Sequence, residues 1–569
     1  MTDRILQVAL GNSSADLLLK NGRIVDVLTE TIYEANVAIV DGIIAGVGDY
    51  TEGQRVIDLD GAYVCPGLIN AHCHVESSMA RPEAYCAEEL RWGTTTLITD
   101  PHEIANVAGG EGIRYMLEAG SRMPVNYYVE LPSCVPATPF EHAGCVMDAA
   151  AMAELMDLPG VLGMGEMMNV PGVLFGDEQV QAKLELFRKA GRIIDGHAPS
   201  VVGRQLQAYA GAGVATDHES VEWSEALAKL RSGMAVLVRE GSASKNLDAL
   251  IQGVLADKVD IANLAFCTDD KHLADMRKEG TIRHCVCKAI ALGMEPVRAL
   301  RMATINAARI YGLRHLGAVA AGKQADIVAF EDLESLVPRY VFHKGADAWQ
   351  NCEQAESVIP VEALRGSVKP ASFTENDFSA EKFVAGTSYP VIEMLPGQII
   401  TERGKIDGGE VAAKLAAGEL YMIAVLERHH GTGNMGLGLL RGYGLTSGAV
   451  ATTVAHDSHN LIVLGTNSAD MALAAKELVR VQGGYTLVQD GRVIDTLSLD
   501  ICGLMSTLPT ETLIDRLEEI QLQAHALGVG RQIDPFISLS FMALPVIPKI
   551  RITDMGMFDA ESFKFLLNA

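Results

Sequence analysis

The chain has 569 residues, with 46 Lys and Arg against 72 Asp and Glu, a formal charge of −26 at pH 7, 49% hydrophobic residues and 21% charged ones. These proportions exclude extensive disorder, and the acid excess without a basic block argues against nucleic acid or an anionic membrane as partner. Length asks for about three domains, one of which could be a large barrel.

The first 20 residues hold no apolar stretch of signal-peptide length, and no later run approaches the roughly 18 apolar residues of a spanning helix. The 10 Cys are scattered. Free thiols in a reducing cytoplasm are the expectation, and Cys285 with Cys287 lacks the second pair of a zinc knuckle.

Residues 16–62 read as short strands and turns. Asn21-Gly22 between two apolar runs predicts a hairpin turn, Asp41-Gly42 predicts a second, and a third apolar stretch ends at Asp60-Gly61. This N-terminal half of a β-sandwich (1–62) is too thin for a core of its own.

From residue 63 apolar runs recur, each ending in a polar cluster and each followed by a helix-compatible stretch. They cover 67–74, 94–100, 125–130, 161–166, 192–197, 214–219, 234–240 and 264–269. Eight such runs, roughly 20–35 residues apart, predict an α/β fold, a (β/α)8 TIM-like barrel over 63–310. A doubly wound open sheet is the alternative, but it seldom ends every strand in potential ligands. Residues 311–368 return to strand-and-turn text and supply the other half of the sandwich, so the barrel is inserted in it. A polar linker, 369–376, leads to a C-terminal α+β domain, 377–569. One helix there is marked by Ser468 as N-cap, 469–481 as body and Gly483-Gly484 as stop.

In a barrel the C-terminal strand ends form the active face. Those ends carry His72 and His74, Asp100, Glu130, Glu166, His197, His218, Arg239 and Glu240, and Asp269. His72 and His74, two apart on a strand, share a face and could reach one ion, while Cys73 points away into the core. Histidine and carboxylate together suit Zn, Fe or Mn. In the last domain, His429 and His430 precede a glycine-rich run, and His456, Asp457 and His459 follow an apolar one. Either these loops reach the barrel mouth, where glycine permits close approach, or they order their own domain by internal hydrogen bonds.

The segment 66–74 (PGLINAHCH) resembles the signature of the amidohydrolase superfamily of metal-dependent barrel hydrolases. His197, His218 and Asp269 fall where that family's other ligands lie, and 322–328 (GKQADIV) resembles its closing sandwich strand. More narrowly, 72–79 (HCHVESSM), 100–107 (DPHEIANV), 267–270 (CTDD), 427–434 (ERHHGTGN) and 455–460 (AHDSHN) resemble the adenine deaminase family. The resemblance covers nearly the whole chain. It implies a cytoplasmic enzyme of purine salvage and adenine catabolism, with a small purine as substrate. Homo-oligomerisation is a further expectation.

Many members of the superfamily bridge two ions with a carboxylated Lys on the fourth strand, but 161–173 holds none, and Glu166 could bridge instead. A single-ion site would leave Glu166 outside the coordination sphere. The resemblance favours two divalent ions, Mn or Fe ahead of Zn, on His72, His74, Glu166, His197, His218 and Asp269. It implies attack by a metal-bound hydroxide on C6 of adenine, with Asp269 moving the proton to the departing amine. Glu103 is the expected partner of the ring nitrogens, with Asp100 and His102 also at the substrate. The PCxxC element of cytidine-type deaminases is missing, which excludes that fold. The alternatives are a cyclic-amide hydrolase acting on a hydantoin- or dihydropyrimidine-like ring, or a metal-binding scaffold without catalysis.

Overall fold

The structure is a computed structural model describing residues 3–242, 244–355, 361–395 and 400–568. The two flanks of the barrel build one hydrogen-bonded sheet of eight strands, with Ala15–Asp26 at its branch point. Tyr63–Pro66 belongs to this sheet, past the expected boundary at 62, because it pairs with Ile327–Phe330 from the far flank. Each face carries its own apolar cluster, one around Leu19, Ile24, Ile39 and Phe342, the other around Leu18, Ala38 and Val40 under the helix Asp3–Ala9. Of the second flank, 356–360 lie outside the described residues.

The expected hairpin at Asn21-Gly22 does not form. One strand runs through it, and both of its halves pair with Thr31–Val40 across a register shift between Leu19 and Gly22. Asn21 takes a left-handed backbone (φ 56°), so the pair is a β-bulge, and a Cβ on Gly22 would lie 2.5 Å from Val64 Cγ2. At Asp41-Gly42 both residues have positive φ and join antiparallel strands, the turn expected there.

All eight apolar runs contain a strand: Leu68–His74, Thr94–Thr99, Asn126–Leu131, Val161–Met167, Ile194–Gly196, Thr216–Asp217, Ala235–Arg239 and Leu264–Cys267. Parallel ladders join the first five and, separately, the last three. Ala215 N–H to Ile194 O (2.9 Å) and Thr268 N–H to His72 O (3.3 Å) link the two sets and close the barrel. The runs are apolar because helices cover the strands outside while Ile69, Ala71, Ile98, Leu237 and Ala265 pack with Tyr311, Leu313 and Leu316 in a separate cluster.

The C-terminal domain holds an eight-stranded sheet over 388–498 and a small three-stranded sheet over 550–568. The helix Ser468–Val481 packs on the larger sheet through Met471, Ala475 and Leu478. Its N-cap is Asn467, whose side chain accepts from Asp470 N–H, not the expected Ser468, and the left-handed residue that stops it is Gln482. Both Asn467 and Ser468 have capping side chains; only the backbone decides which stands at the boundary. Among the described residues no helix is long and apolar enough to cross a membrane.

Strands five and six are knitted at their active ends by Lys229. Its ammonium meets Asp217 Oδ2 (2.7 Å), Glu225 Oε1 (2.8 Å), Ser220 Oγ (3.1 Å) and Ala198 O (2.8 Å), all buried beside His197 and His218. Lys229→Met strands two buried carboxylates. Denaturant unfolding should show a loss of about 3–5 kcal/mol, and a loss below about 1 kcal/mol would contradict this role.

Candidate active site

Six side chains from five strand ends converge in the barrel mouth. His72 and His74 both turn into the barrel mouth, whereas Asn70 turns to Glu89 on the helix Pro82–Arg91, to which it donates at 2.9 Å. His74 Nδ1 lies 2.8 Å from the Asp100 carbonyl, to which it donates, so Nε2 turns inward. There it meets His72 Nε2 at 3.1 Å, Asp269 Oδ1 at 3.0 Å and Glu166 Oε1 at 3.6 Å. The other oxygen of Glu166 faces a second group, His197 Nδ1 at 2.6 Å and His218 Nε2 at 3.2 Å. Glu166 thus stands between two sets of histidine nitrogens.

The donor set suits a divalent cation. A tetrahedral ion with nitrogen bonds of about 2.0–2.1 Å keeps its ligands roughly 3.3 Å apart, close to the His72–His74 spacing. Nε2 of His72, His74 and His218 and Nδ1 of His197 all turn toward Glu166 or Asp269, so four imidazole nitrogens meet two carboxylates in one buried space. Burial opposes charge on His74, but Asp269, Glu166 and Asp270 outweigh it and pull its pKa well above the usual imidazole range. A field that draws a proton to this point also draws a metal ion.

Asp269 follows the eighth strand with a left-handed backbone (φ 57°), a conformation Asp tolerates better than most residues. Its Oδ2 is 2.7 Å from Arg239 Nη1, which leaves Oδ1 toward His72 and His74. Burial raises this carboxyl, yet Arg239, His74 and His218 hold it well below its ordinary value. Arg239 also grips Glu219, and Glu219 Oε1 lies 3.8 Å from His197 Nδ1. Reading strand ends found Arg239 without a role and passed over Glu219, although it directly follows His218.

The other strand-end residues divide. Glu130 lies deep in the barrel, with neither oxygen hydrogen-bonded and its pKa pushed well up by burial and then by Asp195. Glu240 pairs with Lys288 (2.8 Å) instead of joining the cluster. Asp100 accepts Glu166 N–H through Oδ2 (2.9 Å), so it holds the fourth strand in place. Cys73 is buried within the main apolar core.

Glu103, the expected partner of the ring nitrogens, meets the C-terminal domain. Both of its oxygens are taken, Oε1 by His456 Nδ1 (2.5 Å) and Oε2 by His459 Nε2, each from the C-terminal domain. His102 stands between Glu103 and the cluster. Its Nε2 is 3.4 Å from Glu103 Oε1 and 3.9 Å from Asp457 Oδ1, and its Nδ1 is 3.3 Å from Glu166 Oε1. Burial works against charge on His102, but Glu103 prevails and its pKa is raised well above the ordinary value. His429 and His430 stay outside: His429 Nε2 donates to Ser458 O (2.8 Å) and His430 Nε2 to Ala143 O (3.1 Å). One loop of the last domain therefore enters the barrel mouth, and the other bonds both to that loop at Ser458 and to the barrel at Ala143.

A cation-seeking cluster at the C-terminal rim of an eight-stranded barrel is the amidohydrolase pattern, and known proteins agree. The amidohydrolase family model matches residues 63–361, and the adenine deaminase C-terminal domain matches 398–564. An adenine deaminase of Dehalococcoides mccartyi is 45% identical over 570 residues, covering 99% of this chain and 98% of that protein. One from Halalkalibacterium halodurans is 42% identical over 579 residues, covering 100% and 98%. Among solved structures, an atrazine chlorohydrolase from Arthrobacter aurescens complexed with zinc is 17% identical, with a TM-score of 0.45 over 60% of this chain and 100% of that one. The chain belongs to the adenine deaminase family.

Glu166 faces both histidine sets at close range, one oxygen toward His74 and the other toward His197 and His218. Glu166→Ala should lower bound divalent metal, measured by plasma mass spectrometry, to less than half that of the parent protein. Unchanged metal would remove Glu166 from the ligand set.

Proposed function

We propose that the protein hydrolyses adenine to hypoxanthine and ammonia, with two divalent ions held by His72, His74, Glu166, His197, His218 and Asp269. The reading is carried by the two-sided placement of Glu166 within a chain that aligns end to end with adenine deaminases. Manganese or iron is favoured, with zinc also compatible with nitrogen and carboxylate donors. When bound, such ions act as Lewis acids that bring the pKa of a water from 15.7 to about 7. A small purine is the proposed substrate, handled in the cytoplasm by a homo-oligomer, with neither nucleic acid nor membrane as partner.

The chemistry asks three things of the chain. Water oxygen bonds to C6 and the C6–N bond breaks, while one water proton ends on N1 and the other leaves with ammonia. Asp269 is placed to carry a proton, because Arg239 fixes Oδ2 and keeps the group ionised while Oδ1 faces the reacting space. His102, drawn toward the imidazolium form by Glu103, turns Nδ1 toward Glu166 and is placed to donate to the ring nitrogens. Glu103 serves through His102 in place of the direct contact expected from sequence. Asp100, Glu219 and Arg239 keep the ligands and the shuttle in register.

The cyclic-amide reading lacks support: the fourth strand offers no Lys, and the full-length relatives carry the name adenine deaminase. Incubating the metal-loaded protein with adenine should release ammonia and hypoxanthine. Ring opening of a dihydropyrimidine without adenine turnover would sink the proposal. Asp269→Asn should keep most of its metal and lose about 10²–10⁴-fold in kcat, because an amide cannot accept the proton. Near-normal turnover in that variant would move the shuttle elsewhere.

A further inference from the structure

Residues 455–460 cross from the C-terminal domain into the barrel mouth. His456 Nδ1 lies 2.5 Å from Glu103 Oε1 and His459 Nε2 contacts Glu103 Oε2, all three groups buried. Two imidazoles around one carboxylate look like a further cation site. The tautomer of His459 points elsewhere. Ala455 N–H donates to His459 Nδ1 at 3.0 Å, so Nδ1 bears the lone pair and Nε2 bears the hydrogen. An Nε2–H aimed at a carboxylate is a hydrogen-bond donor, not a metal ligand.

The two rings differ in charge. Burial pushes His459 down to about 4 despite Glu103, so it is a neutral donor. Burial also disfavours charge on His456, but Glu103 outweighs it and raises the group to about 9. Glu103 therefore meets one neutral and one cationic donor, and a carboxylate held at both oxygens has lost its rotational freedom.

The loop that presents these rings is itself fixed. Arg428 Nε reaches His459 O, His429 Nε2 donates to Ser458 O, and Asn460 Nδ2 donates to His142 O at 2.8 Å. His456 N–H donates to Ser540 Oγ at 2.8 Å, and its ring stacks on Phe541 at 5.4 Å. Glu103 sits in the first turn of the helix His102–Ser121, where Pro101 is the N-cap residue and Glu76 Oε1 accepts Ile104 N–H at 3.2 Å.

We propose that His459 and His456 are positioning residues for the deamination: they lock Glu103, and Glu103 in turn holds the ring of His102 against the metal-ligand cluster. This deepens the adenine deaminase reading and rests on it. The C-terminal domain then acts on a residue that touches the reacting atoms without touching them itself. Carboxylates that orient a histidine through its second nitrogen are an established device, here extended by one more layer of donors.

The test is a mutant cycle on the full-length, metal-loaded protein. His459→Ala should keep parental metal content and thermal midpoint within a few degrees, and lower kcat/KM about 10–100-fold, mostly through kcat. His459→Gln, which returns an N–H near the Nε2 position, should recover most of that loss. In the Glu103→Gln background, removing His459 should cost less than about threefold more, because the effect passes through Glu103. His459→Phe fills the same space without a donor and takes the place of His459→Ala if the latter does not fold. Multiplying losses in the double variant, or activity of His459→Phe within about twofold of the parent, would overturn the proposal. A parent protein inert toward adenine overturns the substrate reading instead. The tautomer of His459, read from histidine ¹⁵N spectra, then decides the clamp without turnover: hydrogen on Nε2 supports it and hydrogen on Nδ1 overturns it.

Discussion

Buried negative charge at the barrel mouth is the constraint on which the rest of the structure depends. Asp100, Glu103, Glu166, Asp269 and Asp457 are each less than a tenth exposed, within a few ångströms of one another through shared histidines. An ionised carboxylate removed from water and left unpaired is destabilised by several kcal/mol. Every strong contact in the region answers that need: Arg239 across Asp269 and Glu219, His456 on Glu103, and imidazoles on Glu166. The remaining deficit is one that a divalent cation would fill.

The same deficit explains why the last domain is attached where it is. The barrel offers Glu103 its neighbour His102 at 3.4 Å, while the strand-end histidines lie against Glu166 and Asp269. The further donors come from 455–460, and the framework that fixes this loop reaches back to the segment expected to be a linker. Arg428, fully buried, is held by the carbonyls of Cys502, Ser367 and His459, with no carboxylate bonded to its guanidinium, and burial brings its pKa down to about 10. Lys369 N–H donates to Arg428 O at 2.7 Å. Ser367 and Lys369, the latter the first residue of the expected linker 369–376, are therefore stitched to the loop system.

Much of this was legible in the sequence because barrel geometry turns position along a strand into position in space. An apolar run ending in His or Asp places that residue at the rim, which is how His72, His74, Glu166, His197, His218 and Asp269 could be found together. What failed were features set by a partner rather than by the local text. Asn21-Gly22 carries a hairpin signal, but one long neighbouring strand pairs with both sides of it and turns the signal into a bulge. Ser468 and Asn467 are equivalent caps until the backbone chooses. Glu103 reads from the sequence as a partner of the ring nitrogens; nothing nearby in the chain announces His456 and His459, more than 350 residues away.

That separation carries a consequence for how the catalytic face is assembled. The six candidate ligands all lie between residues 72 and 269, and the chain can bring them together as the barrel closes. Glu103 and His102 are on the same barrel, but the two further donors of Glu103, His456 and His459, come from the final domain. Before it docks, Glu103 has solvent access to hydrate its charge, and its side chain has several rotamers to occupy. Docking replaces that water with two histidines fixed by Arg428, Ser540 and the 427–432 loop, so the entropy of ordering Glu103 is met once, by folding, rather than in each catalytic cycle. Preorganisation of that kind is worth most in a site whose charges are already crowded, and His102 has Glu103, Asp457 and Glu166 all within 4 Å. The C-terminal domain is thus an integral wall of the active site, joined to it by charge balance as much as by apolar packing.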